Sequence, residues 1–402
     1  MMEAWRKIRL GDACKTNADS YSSKEGWDFV NYLDTGNIIN NRIDAIQYID
    51  VKCEKLPSRA RRKVKNGSII YSMVRPNQRH FGIIKSQPKN FLVSTGFAVI
   101  DVDASVLDSD FLYYLLTQAS LIEVLHAIAE QSVSAYPSIK ASDIEDLEIE
   151  IPDLVIQKKI ADVLCSLDRK ITQNVEINKN LLQQLNAIFK YWFTDNPQLE
   201  AMTQVPLDDL CLIVTKGTTP TTLGKSFVSA GINFIKAESI LNSHAIDRNK
   251  FTFIDEETND LLKRSIICPR DIVFTIAGTL GRFALIDDSV LPANTNQAVA
   301  IIRANPKKVM PEYLYSFFLG NWHNDYYTKC IQQAVQANLS LGTIKSLPIP
   351  VLTNRFMTEY LEIIRPIITM TKSNELEITR LETMRDSLLP QLISGQLDVS
   401  DL

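Results

Sequence analysis

Residues 151–193 read IPDLVIQKKIADVLCSLDRKITQNVEINKNLLQQLNAIFKYWF, and apolar side chains recur along this stretch at the spacing of a heptad repeat. As a helix the stretch would be roughly 60 Å long. An amphipathic helix lying on its own domain would overhang a module of ordinary size, so we favour pairing with a second helix. The predicted seam comprises Ile160, Leu164, Leu167, Ile171, Asn174, Leu181, Leu185 and Ile188.

A second stretch with the same spacing follows 200 residues later. Asparagines stand near the middle of both stripes, at positions where a polar residue sets the register of a coiled coil at some cost in stability. We therefore predict that the two helices pair with each other. The second seam comprises Ile364, Ile367, Asn374, Ile378, Leu381, Leu388 and Leu392.

The segments between these helices form an internal repeat with the same period. NYLDTGNIINNRID at 31–44 parallels NFIKAESILNSHAID at 233–247, and DFLYYLL at 110–116 parallels EYLYSFF at 312–318. Short β-branched runs punctuated by Gly, Pro and Asn alternate with single helices, which indicates α+β modules with mixed or mostly antiparallel sheets. The predicted segments are a module at 1–152, a helix at 153–200, a module at 201–352, and a helix with the C-terminal tail at 353–402.

Composition places the chain among ordinary soluble proteins, with 402 residues, 45% hydrophobic and 22% charged. No apolar run approaches the roughly 18 residues of a membrane span, so we expect a cytoplasmic protein without a membrane partner. The six cysteines form no C-x-x-C pair and the four histidines lie far apart. This scatter indicates neither a disulfide framework nor a metal site.

The net charge of −4 hides a basic segment between Lys52 and Lys89, where eleven Lys or Arg residues face one acid, Glu54. Such a run can be a solvated face. Because it flanks the amide-rich YSMVRPNQRHFG at 71–82, it suits a surface that grips phosphates.

Several stretches of the sequence resemble those of a known protein family. The 151–193 stretch and the closing LLPQLISGQLD resemble the helical spacers of the specificity subunit of type I restriction-modification systems. RPNQR at 75–79, KGTTPTT at 216–222, GTLGR at 278–282 and NTNQA at 294–298 are similar to that family's target recognition domains. The chain departs from the family's PxxEQ helix entry, with Ile156 in place of the acid and TNRFM at 353–357 in the second copy.

The resemblance implies two target recognition domains, each reading half of a split target in double-stranded DNA, held by an antiparallel coiled coil of the two long helices. It implies two methyltransferase subunits and restriction/translocase subunits as partners. It also implies no catalysis and no cofactor in this chain, because S-adenosylmethionine, ATP and Mg²⁺ would belong to those partners. The alternative is a coiled-coil scaffold or adaptor that does not read DNA.

Candidate DNA contacts follow from the residue types that read base edges in the major groove, Arg on guanine and Asn or Gln on adenine. Arg75 and Arg79 could equally grip phosphates, and Asn77 could be a turn residue after Pro76. For the first module the candidates are Arg59, Arg61, Arg62 and Lys63 on phosphates, with Arg75, Asn77, Gln78, Arg79, His80, Tyr136, Ser138 and Lys140. For the second module they are Lys216, Thr218, Thr219, Thr221, Thr279, Gly281, Arg282, Gln336, Asn338 and Ser340.

Two patterns typical of catalytic sites occur in the sequence, and we assign neither to catalysis: we interpret the first as a DNA-reading loop and the second as structural. GTTPTTLGKS at 217–226 ends like a phosphate-binding P-loop, but six residues separate its outer glycines where that loop has four. Asp153 and Asp168 loosely fit a nuclease motif, although Asp168 lies beside seam residue Leu167 and the second copy has Ile368 there.

Overall fold

The computed structural model describes residues 5–132, 136–195, 202–332 and 338–399. The chain divides into two compact units. The first combines Met1–Thr172 with Thr379–Leu402, and the second is Gln173–Ile378. Each unit therefore holds one module together with a part of each long helix.

The first module contains three sheets and a small hairpin. One sheet has the order β2-β11-β8-β9, another has β6-β3-β10-β7, and a two-stranded ladder joins β1 to β12. The strands are β1 (Arg6–Arg9), β2 (Cys14–Thr16), β3 (Phe29–Leu33), β4 (Ile38–Ile39), β5 (Arg42–Ile43), β6 (Gln47–Asp50), β7 (Ala60–Arg62), β8 (Ile69–Ser72), β9 (Phe81–Ile83), β10 (Phe91–Ser94), β11 (Phe97–Val102) and β12 (Glu148–Ile151). The helices are α1 (Ser109–Leu116), α2 (Ala119–Glu130) and α3 (Ala141–Glu145).

The second module has sheet orders β14-β20-β17-β18, β16-β15-β19 and β13-β21, so among the described residues it repeats this arrangement without counterparts of strand β7 and of the β4-β5 sheet. Its strands are β13 (Gln204–Pro206), β14 (Cys211–Lys216), β15 (Ile232–Ile235), β16 (Thr252–Ile254), β17 (Ile272–Thr275), β18 (Phe283–Leu285), β19 (Ala293–Thr295), β20 (Val299–Ala304) and β21 (Pro348–Pro350). Its helices are α5 (Glu256–Leu261), α6 (Pro311–Leu319), α7 (Trp322–Gln332) and α8 (Leu341–Lys345).

The mixed sheets predicted from the sequence are confirmed. β3 runs parallel to β10 and antiparallel to β6, and β15 likewise runs parallel to β19 and antiparallel to β16. The central strands are buried along their whole length, as in IIYS of β8 and IVFT of β17. Alternate side chains of each strand join a core with the helices, and the others join a core with the neighbouring sheet. The duplication thus extends to the order and direction of the strands.

The two long helices are α4 (Leu154–Phe193) and α9 (Asn354–Ile393). In the second unit the Asn174 amide donates to Glu377 at 2.8 Å, and the Asn374 amide donates to the Asn178 side chain at 2.7 Å. Asn174 of α4 thus contacts Glu377 of α9, and Asn178 contacts Asn374, so the two helices run antiparallel there. In the first unit Arg385 donates to Asp168 at 2.8 Å. The predicted antiparallel helix pair is confirmed.

Every predicted seam residue is buried or half-buried in the structure. Leu164 and Leu392 belong to the core of the first unit, and Leu185 and Ile364 belong to that of the second. Each part of the helix pair therefore packs into the module of its own unit as well as along the seam.

Among the described residues, no single helix is both long and apolar enough to cross a membrane. The bent pair α1 and α2 passes that test by length and composition only. Most of its apolar side chains, including Phe111, Leu112 and Leu125, are buried in the core of the first module, and Val124 is exposed.

Candidate DNA interface

The loop at 75–80 presents polar side chains on a tightly turned backbone. Pro76–Gln78 form one turn of 3-10 helix, and Arg75 and Arg79 on either side of it have φ of 48° and 57°. Residues other than glycine rarely adopt such angles, and backbone held in this region tends to cluster at functional sites. Asn77, Gln78 and both arginines are exposed. The loop thus displays the residue types that read bases.

A second predicted loop, residues 136–140, lies directly beside it. The Arg75 amide donates to the Pro137 carbonyl at 2.9 Å, and the Ile139 amide donates to the Met73 carbonyl at 2.8 Å. The Arg75 guanidinium stands 5.1 Å from the centre of the Tyr136 ring. Cation–π stacking of this kind orients a guanidinium. Residues 75–80 and 136–140, about 60 positions apart in the sequence, therefore form one surface.

The remaining candidates of the 136–140 loop have partners within the protein. The Lys140 backbone amide donates to Asp143 at the start of α3, at 2.7 Å. The Ser138 amide donates to the Ser132 hydroxyl at 3.3 Å. Ser138 also forms a β-bridge with Val74, next to the 75–80 loop, and both Lys140 and Ser138 stabilise their own turn.

The basic cluster at 59–63 is not a uniform surface. Arg59 and Arg61 are exposed, whereas Arg62 is half-buried and its Nε is enclosed without a hydrogen-bond partner. The Lys63 ammonium donates to Glu25 at 2.7 Å, and this hydrogen bond raises the pKa of Lys63. Arg59 and Arg61 are therefore better placed than Lys63 to attract phosphates.

In the second module, the 216–222 loop packs against the turn at 294–298. The Gly217 amide donates to the Asn296 carbonyl at 3.1 Å, and a Cβ on Gly217 would lie 1.8 Å from the Thr295 carbonyl oxygen. Only glycine fits this close approach. Lys216 and Thr221 are exposed, and Thr218 and Thr219 are half-buried. The Thr219 hydroxyl donates to the side chain of Gln297.

Residues 217–226, which end like a phosphate-binding P-loop in sequence, do not have the structure of one. Gly224 ends a short 3-10 turn, and the next element is strand β15 rather than a helix. The Lys225 ammonium pairs with Glu257 at 2.7 Å. A phosphate-binding loop requires a helix N-terminus directly behind it.

The 278–282 loop is the counterpart of 75–80. The Leu339 amide donates to the Ile276 carbonyl at 3.0 Å, which matches the bond between Ile139 and Met73 in the first module. Gly281 has φ of 82° and Thr279 is exposed. The 338–340 segment thus lies beside this loop, as 136–140 lies beside 75–80.

Of the predicted residues in the adjoining segment, Asn338 is exposed and Gln336 lies outside the described residues. Ser340 caps α8, because its hydroxyl accepts from the Thr343 amide at 3.0 Å. The side chain of Asn296 accepts from the Ala298 amide at 3.1 Å and so stabilises the 294–298 turn.

His80 and Arg282 occupy equivalent places in the two modules, although neither lies in the repeated stretches of the sequence. The Ser72 amide donates to the His80 carbonyl at 2.9 Å, and the Thr275 amide donates to the Arg282 carbonyl at 2.8 Å. Both side chains point to a backbone carbonyl: the His80 Nδ1 lies 2.6 Å from the Ile38 oxygen and the Arg282 Nη1 lies 3.2 Å from the Ile240 oxygen. Since a carbonyl only accepts, Nδ1 of His80 carries the proton.

The two aspartates of the nuclease-like pattern have structural partners. The Asp153 carboxylate accepts from the Ile156 amide at 2.9 Å and thereby caps α4. Asp168 accepts from Arg385 and from the Tyr114 hydroxyl, at 2.8 Å and 2.7 Å. Along one helix the two carboxylates are about 22 Å apart, too far to share a metal ion. Within the described parts of the chain no His, Cys, Asp and Glu cluster could hold a metal.

Comparison with known proteins gives the same two-copy organisation. A sequence model of the family described as the type I restriction modification DNA specificity domain matches residues 2–187 and again residues 200–377. Together the two matches cover most of the chain. This chain belongs to the specificity-subunit family of type I restriction-modification systems. The role of such a specificity subunit is DNA recognition within the complex, and the loops described above are its candidate reading surface.

Several relatives of this specificity subunit extend over its whole length or most of it. The HindI specificity subunit of Haemophilus influenzae is 26% identical, covering 98% of this chain and 100% of its own length. The MjaIX specificity subunit of Methanocaldococcus jannaschii is 23% identical, covering 73% of this chain and 70% of its own. The crystal structure of the S subunit from M. genitalium matches with a TM-score of 0.59 over 97% of this chain and 96% of that one, at 16% identity, so the fold is shared.

The equivalence of His80 and Arg282 in this specificity subunit, and the contacts of their side chains, were not predicted from the sequence. A signal was present, because Ile38 and Ile240 occupy matching positions in the repeated stretches 31–44 and 233–247. Their backbone carbonyls carry no sequence signature, however, and only the fold brings a loop side chain to them.

Proposed function

We propose that this chain is a non-catalytic subunit that reads a bipartite DNA target, each module contacting one half-site. The observation that carries the proposal is the repeated loop pair, 75–80 with 136–140 and 278–282 with 338–340, built on two copies of one fold. Two homologous modules with different side chains at matching loop positions are what a split, asymmetric target requires.

The helix pair supports a spacer role. α4 and α9 each extend over 40 residues, and polar contacts near their middle hold the register in the second unit. A fixed register sets a fixed separation between half-sites, which must match the helical repeat of DNA, ~34 Å. We further propose that two methyltransferase subunits dock on these helices and that restriction/translocase subunits join the assembly through them.

Catalysis and cofactors are assigned to those partners. The contacts that Asp153, Asp168 and Lys225 make within the protein support this assignment, since they tie up the two patterns that could suggest a nuclease or an ATPase. S-adenosylmethionine, ATP and Mg²⁺ would bind the methyltransferase and restriction subunits, and the complex would act in the cytoplasm.

The test uses the full chain reconstituted with its methyltransferase subunits. We expect methylation of adenines in one two-part motif, mapped over a genome or a random-sequence library. Exchange of residues 205–350 for those of a relative should alter one half of the motif and leave the gap unchanged. A change in both halves would refute the assignment of one module to each half-site. A complex that forms but methylates without sequence preference would favour the adaptor alternative.

A further inference from the structure

A small hairpin stands between the 75–80 loop and the long helices in the first unit. We call residues 38–43 the first strut; it consists of β4, β5 and a turn at Asn40 and Asn41, both with positive φ. Two-residue turns with φ above zero at both positions match the twist of a hairpin, and asparagine tolerates them. The first strut is therefore a locally well-defined element.

The first strut is bonded along one side to the 75–80 loop and the strand that follows it. The Asn40 amide donates to the Arg79 carbonyl at 2.9 Å, and the Asn41 amide donates to the Phe81 carbonyl at 2.8 Å. The Asn41 side chain accepts from the Ile83 amide at 2.9 Å. Together with the bond from His80 to the Ile38 carbonyl, these contacts hold the end of the loop from which Arg79 projects.

The other side of the first strut reaches α9. Arg42 Nη2 donates to Glu382 Oε1 at 2.7 Å, and both residues belong to the first unit. Arg42 is 61% exposed and Glu382 35%, so the pair contributes little to global stability. Its importance would lie in where it places the strut.

The second unit contains an equivalent element, residues 240–246, which we call the second strut. Ile240 and Ile246 form an antiparallel bridge, as Ile38 and Ile43 do in the first strut. Arg282 donates to the Ile240 carbonyl, and the His244 ring stacks on Phe283 with 4.1 Å between ring centres. The second strut is thus joined to the end of the 278–282 loop.

The second strut also reaches α9, by a different contact. The Lys372 ammonium lies 3.5 Å from the His244 carbonyl and donates to Glu375 at 2.8 Å. Lys372 and Glu375 are 15% and 16% exposed. The same link from loop to strut to helix therefore occurs in both units with unrelated side chains, which argues that the link itself matters rather than any one bond.

We propose that the two struts set the position of each reading loop relative to α9, and that Arg42, Glu382, His244 and Lys372 are positioning residues for sequence discrimination. In this arrangement His80 and Arg282 hold the struts and do not themselves read bases. The inference rests on the proposed function. Bidentate base contacts discriminate between bases only when the side chain is correctly placed, so a displaced loop loses specificity before it loses affinity.

The experiment uses the reconstituted methyltransferase complex and a DNA library in which one half-site at a time is randomised. Glu382→Arg places like charges at the end of the first strut. We expect discrimination in the half-site of the first module to fall about fivefold, with the other half-site unchanged. The double variant Arg42→Glu with Glu382→Arg restores an ion pair and should recover discrimination.

Asp28→Arg is the matched control, because it likewise replaces the acid of an exposed ion pair of the same module, Asp28 with Lys52 at 2.8 Å, and leaves two like charges side by side. It adds the same positive charge, and we expect discrimination to remain at the unmodified level. Unchanged discrimination with Glu382→Arg, or a loss that Arg42→Glu does not rescue, would overturn the inference. If the complex with the unmodified chain showed no sequence-specific methylation, that result would instead refute the proposed function.

A second measurement separates positioning from base reading at His80. Asn places a donor near the position of Nδ1, whereas Leu removes it. We expect His80→Asn to keep the preferred bases and His80→Leu to blur the preference severalfold without changing which base is preferred. A switch to a different preferred base at one position in either variant would assign His80 to direct readout and contradict the inference.

Discussion

Asp168 of α4 and Arg385 of α9 form a half-buried ion pair of 2.8 Å. Their counterparts 200 positions away, Ile368 and Leu185, are both apolar and belong to one buried cluster. The same layer of the duplicated helix pair is thus charged in the first unit and apolar in the second. Tyr114 also donates to Asp168 at 2.7 Å and joins the charged layer to the first module.

This asymmetry predicts a coupling between the two residues. Asp168→Ile alone should destabilise the protein by about 1–2 kcal/mol, because Arg385 and the Tyr114 hydroxyl lose a partner in a partly desolvated layer. The double variant Asp168→Ile with Arg385→Leu copies the layer of the second unit and should cost less than the sum of the single changes. A double-mutant cycle measured by urea unfolding checks this. Strict additivity would mean that the pair is not coupled.

Replacing the asparagines at the middle of the helix pair should increase stability and weaken the selection of a single helix register. Asn178→Leu combined with Asn374→Leu removes the bond between their side chains, 2.7 Å long, and should raise the unfolding free energy by about 1 kcal/mol. Without these polar contacts, neighbouring registers become accessible. We expect methylation to spread to targets whose gap is one base pair shorter or longer, in a library with varied gaps. Unchanged gap selectivity would show that other contacts hold the register.

Buried histidines of the second unit predict a loss of stability in mild acid. Burial lowers the pKa of His323 to about 4, the Phe317 backbone opposes this shift and nearby His244 adds to it. The unfolded chain, with a histidine pKa near 6.5, binds protons that the folded chain does not, so stability falls as the pH drops from about 6.5 towards 4. Thermal unfolding across this range provides the measurement.

His323→Phe is the control for that prediction. The ring lies among Phe274, Phe283 and Phe318, so phenylalanine suits the surroundings. The variant should lose less stability than the unmodified chain between about pH 6.5 and about pH 5, because it has no imidazole to protonate on unfolding. An identical pH dependence in both proteins would place the acid sensitivity elsewhere.

The two exposed arginines of the basic cluster predict a change in the salt dependence of DNA binding. The double variant Arg59→Gln with Arg61→Gln should reduce the steepness with which log affinity falls against log salt by about 2, because about two phosphate contacts are lost. Lys63→Gln is the comparison, since Lys63 already pairs with Glu25 and should change the slope far less. Equal effects of both variants would assign Lys63 to the phosphate surface. No effect of either would favour an adaptor.

Local and periodic features of the fold could be predicted from the sequence. The heptad seams, the duplication and the α+β character depend on residue spacing, which repeats along the chain and needs no knowledge of distant contacts. For the same reason the polar residues of the 75–80 and 278–282 loops could be selected as candidate DNA contacts by residue type. Which of them touch bases remains a prediction.

The partners of those side chains could not be predicted in this way. Lys63 and Glu25 are 38 positions apart, and Arg42 and Glu382 are 340 apart. Neither pair has a sequence spacing from which it could be predicted, because each forms between segments that only the folded structure brings together.

Amino-acid spacing alone thus determined that the chain consists of two like modules with two long paired helices. Tertiary structure decided which basic side chains remain exposed to solvent, which are occupied by ion pairs or backbone carbonyls, and that each loop is bonded through a hairpin to α9. The physical reason is that periodic burial is encoded position by position, whereas hydrogen bonds and ion pairs between distant segments exist only after the hydrophobic cores have brought those segments together.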